Sequence, residues 1–554
     1  MSLTGKRWTD PALRSEGSPS DIVAAIAATR DLGHDERPWL DIATYPMAEV
    51  AAERVREAVR NAETVGIIGD YDCDGVTSTA ILVRMLRRLD TEPVVRLPHR
   101  LKEGYGAQAL HVEELAAKGV TLLITTDTGI VATEALSLAK EKGMDAIVVD
   151  HHAFAELPPA YAIMHPALTA LEAHPSAAGV AFALAHAVLG PAWPDHDTDL
   201  ALAAIGTIAD VVPLTHGNRT MVREGLAALA RVPAASALGM LRDRSGAGNR
   251  PTAMDVAFRM APRLNAAGRL DDAAIGLRAL LGDEASVDAL EALNAERQRV
   301  TQACMEEAFA TVDPANLPAC VCVASENFPR GVVGLVAGKL AERFGRPALV
   351  ASIGGGSCTA SLRGVPGHDI ALALRNNGGL FTAFGGHAMA GGCSFALADF
   401  DAVRDALCAD VLSSVAEEDL RPVVAVEAAI DASAATLALA DALAVLEPFG
   451  AENREPLFLL ENVALSGVRR IGSDLRHLSG KIGNTGVVAF GLGHLADAVP
   501  ATADIVCRVT ANEWNGTRRA QLSVVDIRVA QTGASFPSIS KTAMTGTFKA
   551  DAIL

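Results

Sequence analysis

Three short apolar segments, each followed by an aspartate, constrain the fold of this chain more than any other feature. Asp70, Asp127 and Asp150 end segments such as "VTLLITTD", and stretches with the apolar spacing of helices separate them. Short apolar strands that alternate with helices predict a parallel sheet covered by helices on both faces. Because ligands of such sheets bind at the carboxyl ends of the strands, we expect the three carboxylates to share one site.

The chain is too long for one hydrophobic core, since it has 554 residues. Changes of pattern along the sequence divide it into five regions. We predict a parallel-sheet α/β domain at 40–230, a helical connector ending in one long helix at 231–312, a smaller glycine-rich α/β domain at 313–412, an antiparallel β-barrel of the OB type at 421–532, and a flexible tail at 533–554.

The composition excludes several classes of protein. Half of the residues are hydrophobic, which is too many for a disordered chain. Apolar stretches such as "GVAFALAHAVLG" are too short to cross a membrane, and the N-terminal residues lack the apolar core of a signal peptide. The eight cysteines form no C-x-x-C pair, which favours reduced thiols over a disulfide framework or a zinc site. We therefore expect a cytoplasmic protein without a membrane partner.

The net charge of −18 disfavours a globally basic nucleic-acid-binding protein, because a polyanion would be repelled at long range. It does not exclude a local basic groove. Bound cations would also offset clustered carboxylates. Charge alone therefore lowers the expectation of a nucleic-acid substrate without deciding it.

The loop "GDYDCDGVTS" places Asp70, Asp72 and Asp74 at alternate positions directly after a predicted strand. A calcium-binding loop would continue to a glutamate near its twelfth position, whereas this loop runs into the apolar helix "TSTAILVRML". Three carboxylates so close together repel one another unless cations neutralise them. The loop therefore predicts a metal site of another kind.

Further ligands follow along the chain. Asp127 lies in "TTDTGI", Asp150, His151 and His152 form "DHH", and Asp210 follows another apolar segment. Carboxylates mixed with imidazoles suit Mn²⁺ or Mg²⁺ better than zinc. Two such cations joined by a carboxylate form a common device for hydrolysing phosphate esters.

The order of these motifs resembles that of the DHH phosphoesterase family, and "FGGHAMAGG" resembles the motif of its accessory DHHA1 domain. The segments "LPHRLKEGYG", "APRLNAAGRL", "RGVVGLVAGKLAERFGRPALV", "EPFGAENREPLF" and "NEWNGTRRAQL" are similar to the branch specific for single-stranded DNA. The resemblance covers roughly residues 40–530. Cys73 stands where the motif more often has alanine, "TTDTG" varies one position, and "GGGSCTASLRG" is less typical. None of these departures removes a ligand.

The resemblance implies a role for each motif residue. Two ions of Mn²⁺ or Mg²⁺ are implied, held by Asp70, Asp72, Asp74, Asp127, His151 and Asp210. Asp127 would bridge the ions, and Asp70 would bind directly or from an outer position. Asp150 would orient a histidine, and His152 would contact the scissile phosphate, so that Asp127, His151 and His152 form the catalytic set.

The resemblance also implies contacts to the substrate phosphates. Arg100, Ser361, Arg363 and His387 match such contacts, whereas Arg263 and Arg269 are either weaker candidates or structural. Four glycines, at 385, 386, 391 and 392, could let the backbone approach a phosphate, and tight turns would explain them equally well. In the predicted barrel, Trp514, Arg518 and Arg519 are candidates for stacking on and steering a strand.

These expectations together predict a two-metal 5′-to-3′ exonuclease that degrades single-stranded DNA to 5′-mononucleotides in recombination and repair. The polarity and the product follow from the resemblance alone. One alternative is a phosphodiesterase for short oligonucleotides or cyclic dinucleotides, which would have little use for the barrel. Another is a catalytically inactive replication scaffold, which predicts lost ligands. A single-strand-binding protein and a helicase are candidate partners.

Overall fold

The protein is described by a computed structural model that covers residues 2–15, 17–30, 32, 40, 44–514 and 516–530. The predicted tail at 533–554 lies outside the described residues. The chain forms two compact units. One combines Met1–Asp31, Arg421–Leu446 and Glu455–Leu554, and the other combines Leu32–Leu420 with Glu447–Arg454.

The N-terminal residues belong to the same unit as the C-terminal region. They form β1 (Arg7–Trp8), β2 (Leu13–Ser15) and α1 (Pro19–Thr29). The buried carboxylate of Asp526 accepts hydrogen bonds from Ser2 Oγ at 2.5 Å, Thr4 Oγ1 at 2.8 Å and Trp8 Nε1 at 2.7 Å. No domain was predicted for the residues before 40, and no sequence pattern indicates this long-range pairing.

The predicted parallel sheet is confirmed. Its strand order is β4-β3-β5-β6-β7, with every neighbouring pair parallel. The elements of this region are α2 (Ala48–Arg60), β3 (Thr64–Ile68), α3 (Cys73–Arg87), β4 (Val94–Arg96), α4 (Ala109–Ala117), β5 (Val120–Thr126), α5 (Thr133–Glu141), β6 (Asp145–Val149) and β7 (Ala162–Met164). The short strand β7 was not predicted.

Burial explains why these segments adopt their structures. The strands β3, β5 and β6 are apolar on both faces because helices cover the sheet on both sides. Helix α3 buries residues around almost its whole circumference, including Ile81, Leu82 and Met85, and so forms the centre of the core. The metal-ligand loop therefore lies between a buried strand and a buried helix.

Helices follow up to the accessory domain. They are α6 (Ala177–Leu189), α7 (His196–Ala209), α8 (His216–Arg231), α9 (Ala237–Arg244), α10 (Ala253–Asp255), α11 (Ala261–Leu270), α12 (Ala274–Leu280) and α13 (Glu284–Thr311). A π-helical turn, Val256–Met260, joins α10 to α11. Helix α13 is the predicted long connector, with 28 residues. Its early residues pack in the first core, whereas Cys304 and Ala308 pack in a core of the accessory domain.

The smaller α/β domain is also confirmed. Its elements are β8 (Val321–Ser325), α14 (Val333–Phe344), β9 (Ala348–Gly354), β10 (Ser357–Arg363), α15 (Ile370–Asn376), β11 (Ala383–His387), β12 (Ala390–Ala396) and α16 (Phe400–Ser414). The strand order is β11-β12-β10-β9-β8, and the β8–β9 pair is parallel while the others are antiparallel.

The C-terminal region forms a closed barrel. Its elements are β13 (Val423–Val424), β14 (Ala428–Ile430), α17 (Leu437–Ala442), β15 (Phe458–Ile471), β16 (His477–Ile482), β17 (Thr485–Ala489), β18 (Thr502–Trp514) and β19 (Thr517–Val529). The ring runs β15-β16-β17-β19-β18 and closes between β18 and β15.

The prediction of a wholly antiparallel barrel is wrong in one respect. Strands β17 and β19 pair in parallel. The connection after β17 returns the chain to the far side of β15, so β18 runs antiparallel to β15 and β19 then runs in the same direction as β17. Among the described residues, no helix is both long and apolar enough to cross a membrane.

Candidate metal centre and phosphate pocket

The metal-ligand candidates meet at the carboxyl edge of the parallel sheet. Because β3, β5 and β6 are neighbours, the residues that follow them, Asp70, Asp127 and Asp150, come together as the sequence predicted. All three carboxylates are buried. A cluster of this charge in a buried position requires compensation.

The Asp-rich loop turns sharply into α3. Asp72 caps this helix, since its Oδ1 accepts hydrogen bonds from the backbone N–H of Asp74 at 2.9 Å and of Gly75 at 3.2 Å. A Cβ at Gly75 would lie 2.6 Å from the Asp70 carbonyl oxygen, so the turn requires glycine. Asp70 Oδ1 is buried and has no hydrogen-bond partner among the described residues.

Asp74 is held by the start of α6. Its carboxylate accepts hydrogen bonds from Ser176 Oγ at 2.9 Å and from the backbone N–H of Ala177 at 2.8 Å and of Ala178 at 3.0 Å. Burial and the nearby charge of Asp72 nevertheless raise the pKa of Asp74 to about 7. Ser176 was not identified from the sequence, and it orients this carboxylate.

Asp127 lies between two groups of ligands. Its backbone has a φ of 59°, which is uncommon outside glycine, and its N–H donates to the Val149 carbonyl at 3.0 Å. The carboxylate of Asp127 lies close to those of Asp70 and Asp72, and its Oδ1 is 3.3 Å from His151 Nε2. Burial and the surrounding carboxylates hold the pKa of Asp127 well above its usual value. This position suits a ligand shared by two cations.

Asp210 follows a helix rather than a strand. It caps the C-terminus of α7, and its Oδ2 is 3.6 Å from His151 Nε2. Burial and the charge of Asp74 raise the pKa of Asp210 to about 8. The negative end of the helix dipole points toward this carboxylate and adds to the demand for a cation.

The DHH histidines have different environments. His151 Nε2 is buried without a hydrogen-bond partner among the described residues and faces Asp74, Asp127 and Asp210 at 3.8, 3.3 and 3.6 Å. Burial and the charge of His152 lower the pKa of His151 to about 3, so the ring is neutral and Nε2 is free to bind a metal.

Asp150 is occupied by protein donors. It accepts from His152 Nδ1 at 2.7 Å, from the His151 N–H at 2.7 Å and from the Ile130 N–H at 3.0 Å. Although burial acts to raise the pKa of Asp150, the hydrogen bond and charge of His152 outweigh it and lower this pKa. Burial opposes the charged form of His152, but the same bond raises its pKa to about 8. The geometry agrees with an orienting role for Asp150.

The ligand set fits two divalent cations. Ligand atoms of Asp74, His151 and Asp210 lie within 4.8 Å of one another, and so do those of Asp70, Asp72 and Asp127. Each group contains a buried atom without a hydrogen-bond partner among the described residues, His151 Nε2 in one and Asp70 Oδ1 in the other. Oxygen donors with a single imidazole are the ligands that Mn²⁺ and Mg²⁺ prefer.

Tyr105 is a site residue that the sequence analysis did not single out. Its Oη donates to the Asp127 carbonyl at 3.1 Å, and its ring lies 5.5 Å from that of His152. Gly104 and Gly106 on either side both have positive φ, at 84° and 95°. A tyrosine between two such glycines in "EGYG" was the available signal, because the turn they form aims the side chain at the metal ligands.

Three arginines gather beside the metal ligands. The Arg100 guanidinium lies 4.8 Å from the centre of the Tyr71 ring, and Arg269 Nη1 donates to the Gly331 carbonyl at 3.2 Å. Burial, together with the charges of Arg100 and Arg363, lowers the pKa of Arg269 to about 9. Among the described residues, no carboxylate forms an ion pair with any of the three. Such a cluster suits an anion.

Ser361 and Arg363 lie on β10 and contact each other, with Arg363 Nη1 donating to Ser361 Oγ at 3.1 Å. Arg363 is opposite Ala390 of β12, which is opposite His387 of β11. Directly paired residues project from the same face of a sheet, so His387 shares the face of Arg363. The three accessory-domain candidates therefore lie on the same face of this sheet, with His387 two strands away from Ser361 and Arg363.

The structure decides between the open alternatives for several residues. Arg263 pairs with Glu291 at 2.5 Å and is structural, whereas Arg269 belongs to the arginine cluster. A Cβ at Gly386 would lie 2.4 Å from the Gly391 Cα, so close strand packing requires this glycine. Gly391 is likewise required, because a Cβ there would clash with the side chains of Ile370 and Leu374. A Cβ at Gly392 would contact only the Ala360 carbonyl oxygen, and a Cβ at Gly385 would point into open space.

The barrel candidates are only partly placed. Arg518 pairs with Asp441 at 2.5 Å, and Arg519 is exposed. The side chain of Trp514 lies outside what the structure describes. A different part of the barrel exposes apolar side chains, since Phe490 is 65% and Leu475 57% exposed.

A parallel sheet with carboxylates and histidines at its strand ends, followed by a glycine-rich accessory domain, defines a protein of the DHH class. Residues 64–207 match the DHH family N-terminal domain, and residues 316–412 match the DHHA1 domain. Residues 426–526 match the RecJ OB domain. The chain belongs to the RecJ family.

Relatives and solved structures agree with this assignment. The single-stranded-DNA-specific exonuclease RecJ of Thermus thermophilus is 38% identical over 86% of this chain and 70% of its own length. RecJ of Dickeya dadantii is 33% identical over 90% of this chain and 93% of its own. RecJ of Bacillus subtilis is 36% identical over 87% of this chain, which spans 63% of that relative's length.

Two crystal structures also resemble this protein. The structure of Thermus thermophilus RecJ in complex with Mn²⁺ superposes with a TM-score of 0.82 and 31% identity, covering 96% of this chain and 80% of that one. The corresponding structure with Mg²⁺ has a TM-score of 0.77 and 30% identity, and covers 95% of this chain and 79% of that one.

Proposed function

We propose that this protein is a Mn²⁺- or Mg²⁺-dependent exonuclease that degrades single-stranded DNA from its 5′ end to 5′-mononucleotides. The observation that carries the proposal is the position of Asp127 between two ligand groups, next to an arginine cluster without carboxylate partners. The metal groups supply hydrolysis, and the arginines supply a place for phosphate. The relatives named above are exonucleases for single-stranded DNA.

One cation would be held by Asp74, His151 and Asp210, and the other by Asp70 and Asp72, with Asp127 shared. Thermus thermophilus RecJ has been crystallised with either Mn²⁺ or Mg²⁺. When bound, such ions lower the pKa of the attacking water and stabilise negative charge on the phosphate.

The residues around the cluster would orient the scissile phosphate. In the metal-free protein burial opposes the charged form of His152, but the bond from Nδ1 to Asp150 outweighs it and raises the pKa of His152 to about 8. A charged imidazole is a strong donor to a phosphate oxygen. Tyr105 contacts the His152 ring and the Asp127 backbone, and it would fix the position of both.

The arginine pocket would select the end of the strand. A terminal phosphate carries more negative charge than an internal diester, and a planar guanidinium binds phosphate oxygens in pairs. Arg363 with Ser361, together with Arg100 and Arg269, would supply these donors. A pocket for the terminal phosphate beside the metal ligands explains cleavage from an end rather than within the strand.

The barrel would bind the single strand without taking part in cleavage. OB barrels bind oligonucleotides on their second and third strands and the adjoining loop, which correspond here to β16, β17 and residues 472–476. Exposed Leu475 lies in this loop and exposed Phe490 directly follows β17, the Phe490 ring packs on His477 at 5.3 Å, and Arg469 and Lys481 are exposed on β15 and β16. Aromatic and basic side chains together favour stacked bases and phosphates.

The substrate also suggests a cellular setting. Single-stranded DNA arises where duplex DNA is unwound, and the relatives named above come from bacteria, in which this happens in the cytoplasm, so we place the protein there. A helicase and a single-strand-binding protein are the partners expected to generate and present the substrate. Pull-down of the purified protein with the helicase and with the single-strand-binding protein, each with and without single-stranded DNA, tests these two interactions.

A substrate panel tests the proposed function. The purified protein is incubated with Mn²⁺ and a single-stranded DNA, a blunt duplex, an RNA of the same sequence, or a linear or cyclic dinucleotide. The proposal predicts rapid hydrolysis of single-stranded DNA and no hydrolysis after Asp127→Asn. Preference for a dinucleotide would instead favour the small-molecule phosphodiesterase. Binding of single-stranded DNA without hydrolysis of any substrate would favour the scaffold.

A further inference from the structure

Helix α11 lies against the loop that carries the metal ligands. The side-chain oxygen of Asn265 accepts a hydrogen bond from the Cys73 N–H at 2.9 Å. A Cβ at Gly268 would lie 2.7 Å from the Tyr71 carbonyl oxygen, so the helix packs directly on the loop backbone. These contacts join residues that are far apart in the sequence, yet neither Asn265 nor Gly268 is a candidate metal ligand.

The contact of Asn265 completes the cap of α3. The first amides of a helix have no partner within the helix. In α3, Asp72 Oδ1 accepts from the N–H of Asp74 and Gly75, and the Val76 N–H donates to the Asp72 carbonyl at 2.8 Å. The Cys73 N–H is the remaining donor of this turn, and Asn265 accepts it.

The alternative acceptors for this donor are metal ligands. Without Asn265, the side-chain acceptors closest along the chain before the Cys73 N–H would be the carboxylates of Asp70 and Asp72. A hydrogen bond to either one would draw an oxygen away from the cation, and an unmade bond would leave a buried donor unsatisfied. By accepting the Cys73 N–H, Asn265 keeps one oxygen of Asp72 for the helix cap and leaves the other available.

We propose that Asn265 is a positioning residue of the metal centre: its amide oxygen holds the Cys73 N–H so that Asp70 and Asp72 face the cation. The proposal rests on the proposed function in taking these carboxylates as metal ligands. Asn265 itself contacts neither substrate nor cation. The neutral side chain matters as an acceptor, and its loss acts through the orientation of the loop.

Three variants and a control test the proposal by Mn²⁺ binding, measured by calorimetry on metal-free protein and by thermal shift. Asn265→Ala removes the acceptor and should weaken Mn²⁺ binding about tenfold. Asn265→Asp retains an acceptor at this position and should weaken Mn²⁺ binding less than alanine does. Ser245→Ala removes a different buried hydrogen bond, from Ser245 Oγ to the Arg242 carbonyl at 2.6 Å, and should not change Mn²⁺ affinity.

Asn265→Gln moves the acceptor by one methylene, and it replaces Asn265→Ala in the Mn²⁺-binding measurement if the alanine variant does not fold. It should weaken Mn²⁺ binding as much as alanine would. Unchanged Mn²⁺ affinity in the alanine or glutamine variant, with only a lower melting temperature, would overturn the proposal, as would equal losses in Asn265→Asp and Asn265→Ala. Wild-type protein that binds Mn²⁺ but does not hydrolyse single-stranded DNA would refute the proposed function and leave this test intact.

Discussion

Arg363→Ala should impair recognition of the strand end without impairing the chemical step. Arg363 lies on the accessory sheet, where it contacts Ser361 and shares with Arg100 and Arg269 a positive cluster that forms no ion pair among the described residues. A charge-assisted hydrogen bond to phosphate contributes about 1.5–3 kcal/mol. Its loss should therefore raise KM roughly ten- to a hundredfold. Because the contact is the same in the ground and transition states, kcat should change little.

The same substitution should not destabilise the free protein. Burial and the charge of Arg100 lower the pKa of Arg363, which means that the charged side chain is held in an unfavourable position without substrate. Removing it relieves repulsion, so the melting temperature of Arg363→Ala should equal or exceed that of the wild type. A residue whose loss weakens binding but not folding acts on a ligand.

Steady-state kinetics on strands with a 5′-phosphate or a 5′-hydroxyl test whether Arg363 recognises the end of the strand. The wild type should prefer the phosphorylated strand, and Arg363→Ala should reduce this preference. The control is Arg375→Ala, which removes an exposed arginine from α15 in the same domain and should leave both constants unchanged. An unchanged preference with a reduced kcat would place Arg363 in the catalytic step and refute the reasoning.

Three further predictions follow from the site and the barrel. Asp127→Asn should abolish hydrolysis while raising the melting temperature of metal-free protein, because a carboxylate is lost from an overcharged cluster; turnover above a few per cent of wild type would exclude Asp127 from the mechanism. Burial and neighbouring carboxylates raise the pKa of Asp74 to about 7 and of Asp210 to about 8, so the folded metal-free protein holds protons that the unfolded chain releases. Its free energy of unfolding should fall from about pH 4, where these carboxyls ionise in the unfolded chain, to about pH 9, above their raised pKa values in the folded protein, and saturating Mn²⁺ should abolish this dependence in denaturant titrations. Phe490→Ala should weaken binding of a long single strand and leave trinucleotide hydrolysis unchanged, as measured by fluorescence anisotropy and product release.

Local patterns predicted the part of the site that lies at strand ends. Asp70, Asp127 and Asp150 each follow an apolar strand, and parallel strands place their carboxyl ends at one edge. Asp210 was found from its motif, but its apolar segment is a helix rather than a strand. A short apolar run has no period that separates the two structures when it is buried on all sides.

The missed residues act through contacts between distant parts of the chain. Asn265 and Cys73 are 192 residues apart, and Ser176 reaches Asp74 across 102 residues. No periodicity reports such a hydrogen bond. Tyr105 likewise depends on a loop that folds back over the Asp127 backbone. The phosphate contacts of the accessory domain and the roles of the metal-ligand residues stay predictions until binding of substrate and of metal is measured.

The division between domains was also harder to predict than their folds. The sequence favoured a barrel that begins near residue 421, yet Glu447–Arg454 belongs to the unit with the metal centre. There the Leu214 N–H donates to the Ala451 carbonyl at 2.9 Å, shortly after Asp210. Deleting everything after residue 421 would therefore disturb the metal centre as well as the barrel. A point substitution such as Phe490→Ala changes only the barrel and therefore tests its role without disturbing the metal centre.

The most direct test of the account follows the first product released from a 5′-labelled single strand. Metal-free protein is mixed with the strand, and hydrolysis is started with Mn²⁺ under single-turnover conditions. The account predicts that the label appears at once as a 5′-mononucleotide, only in the presence of the metal and only with Asp127 intact. Label released in internal fragments, or at an equal rate without metal or after Asp127→Asn, would contradict it.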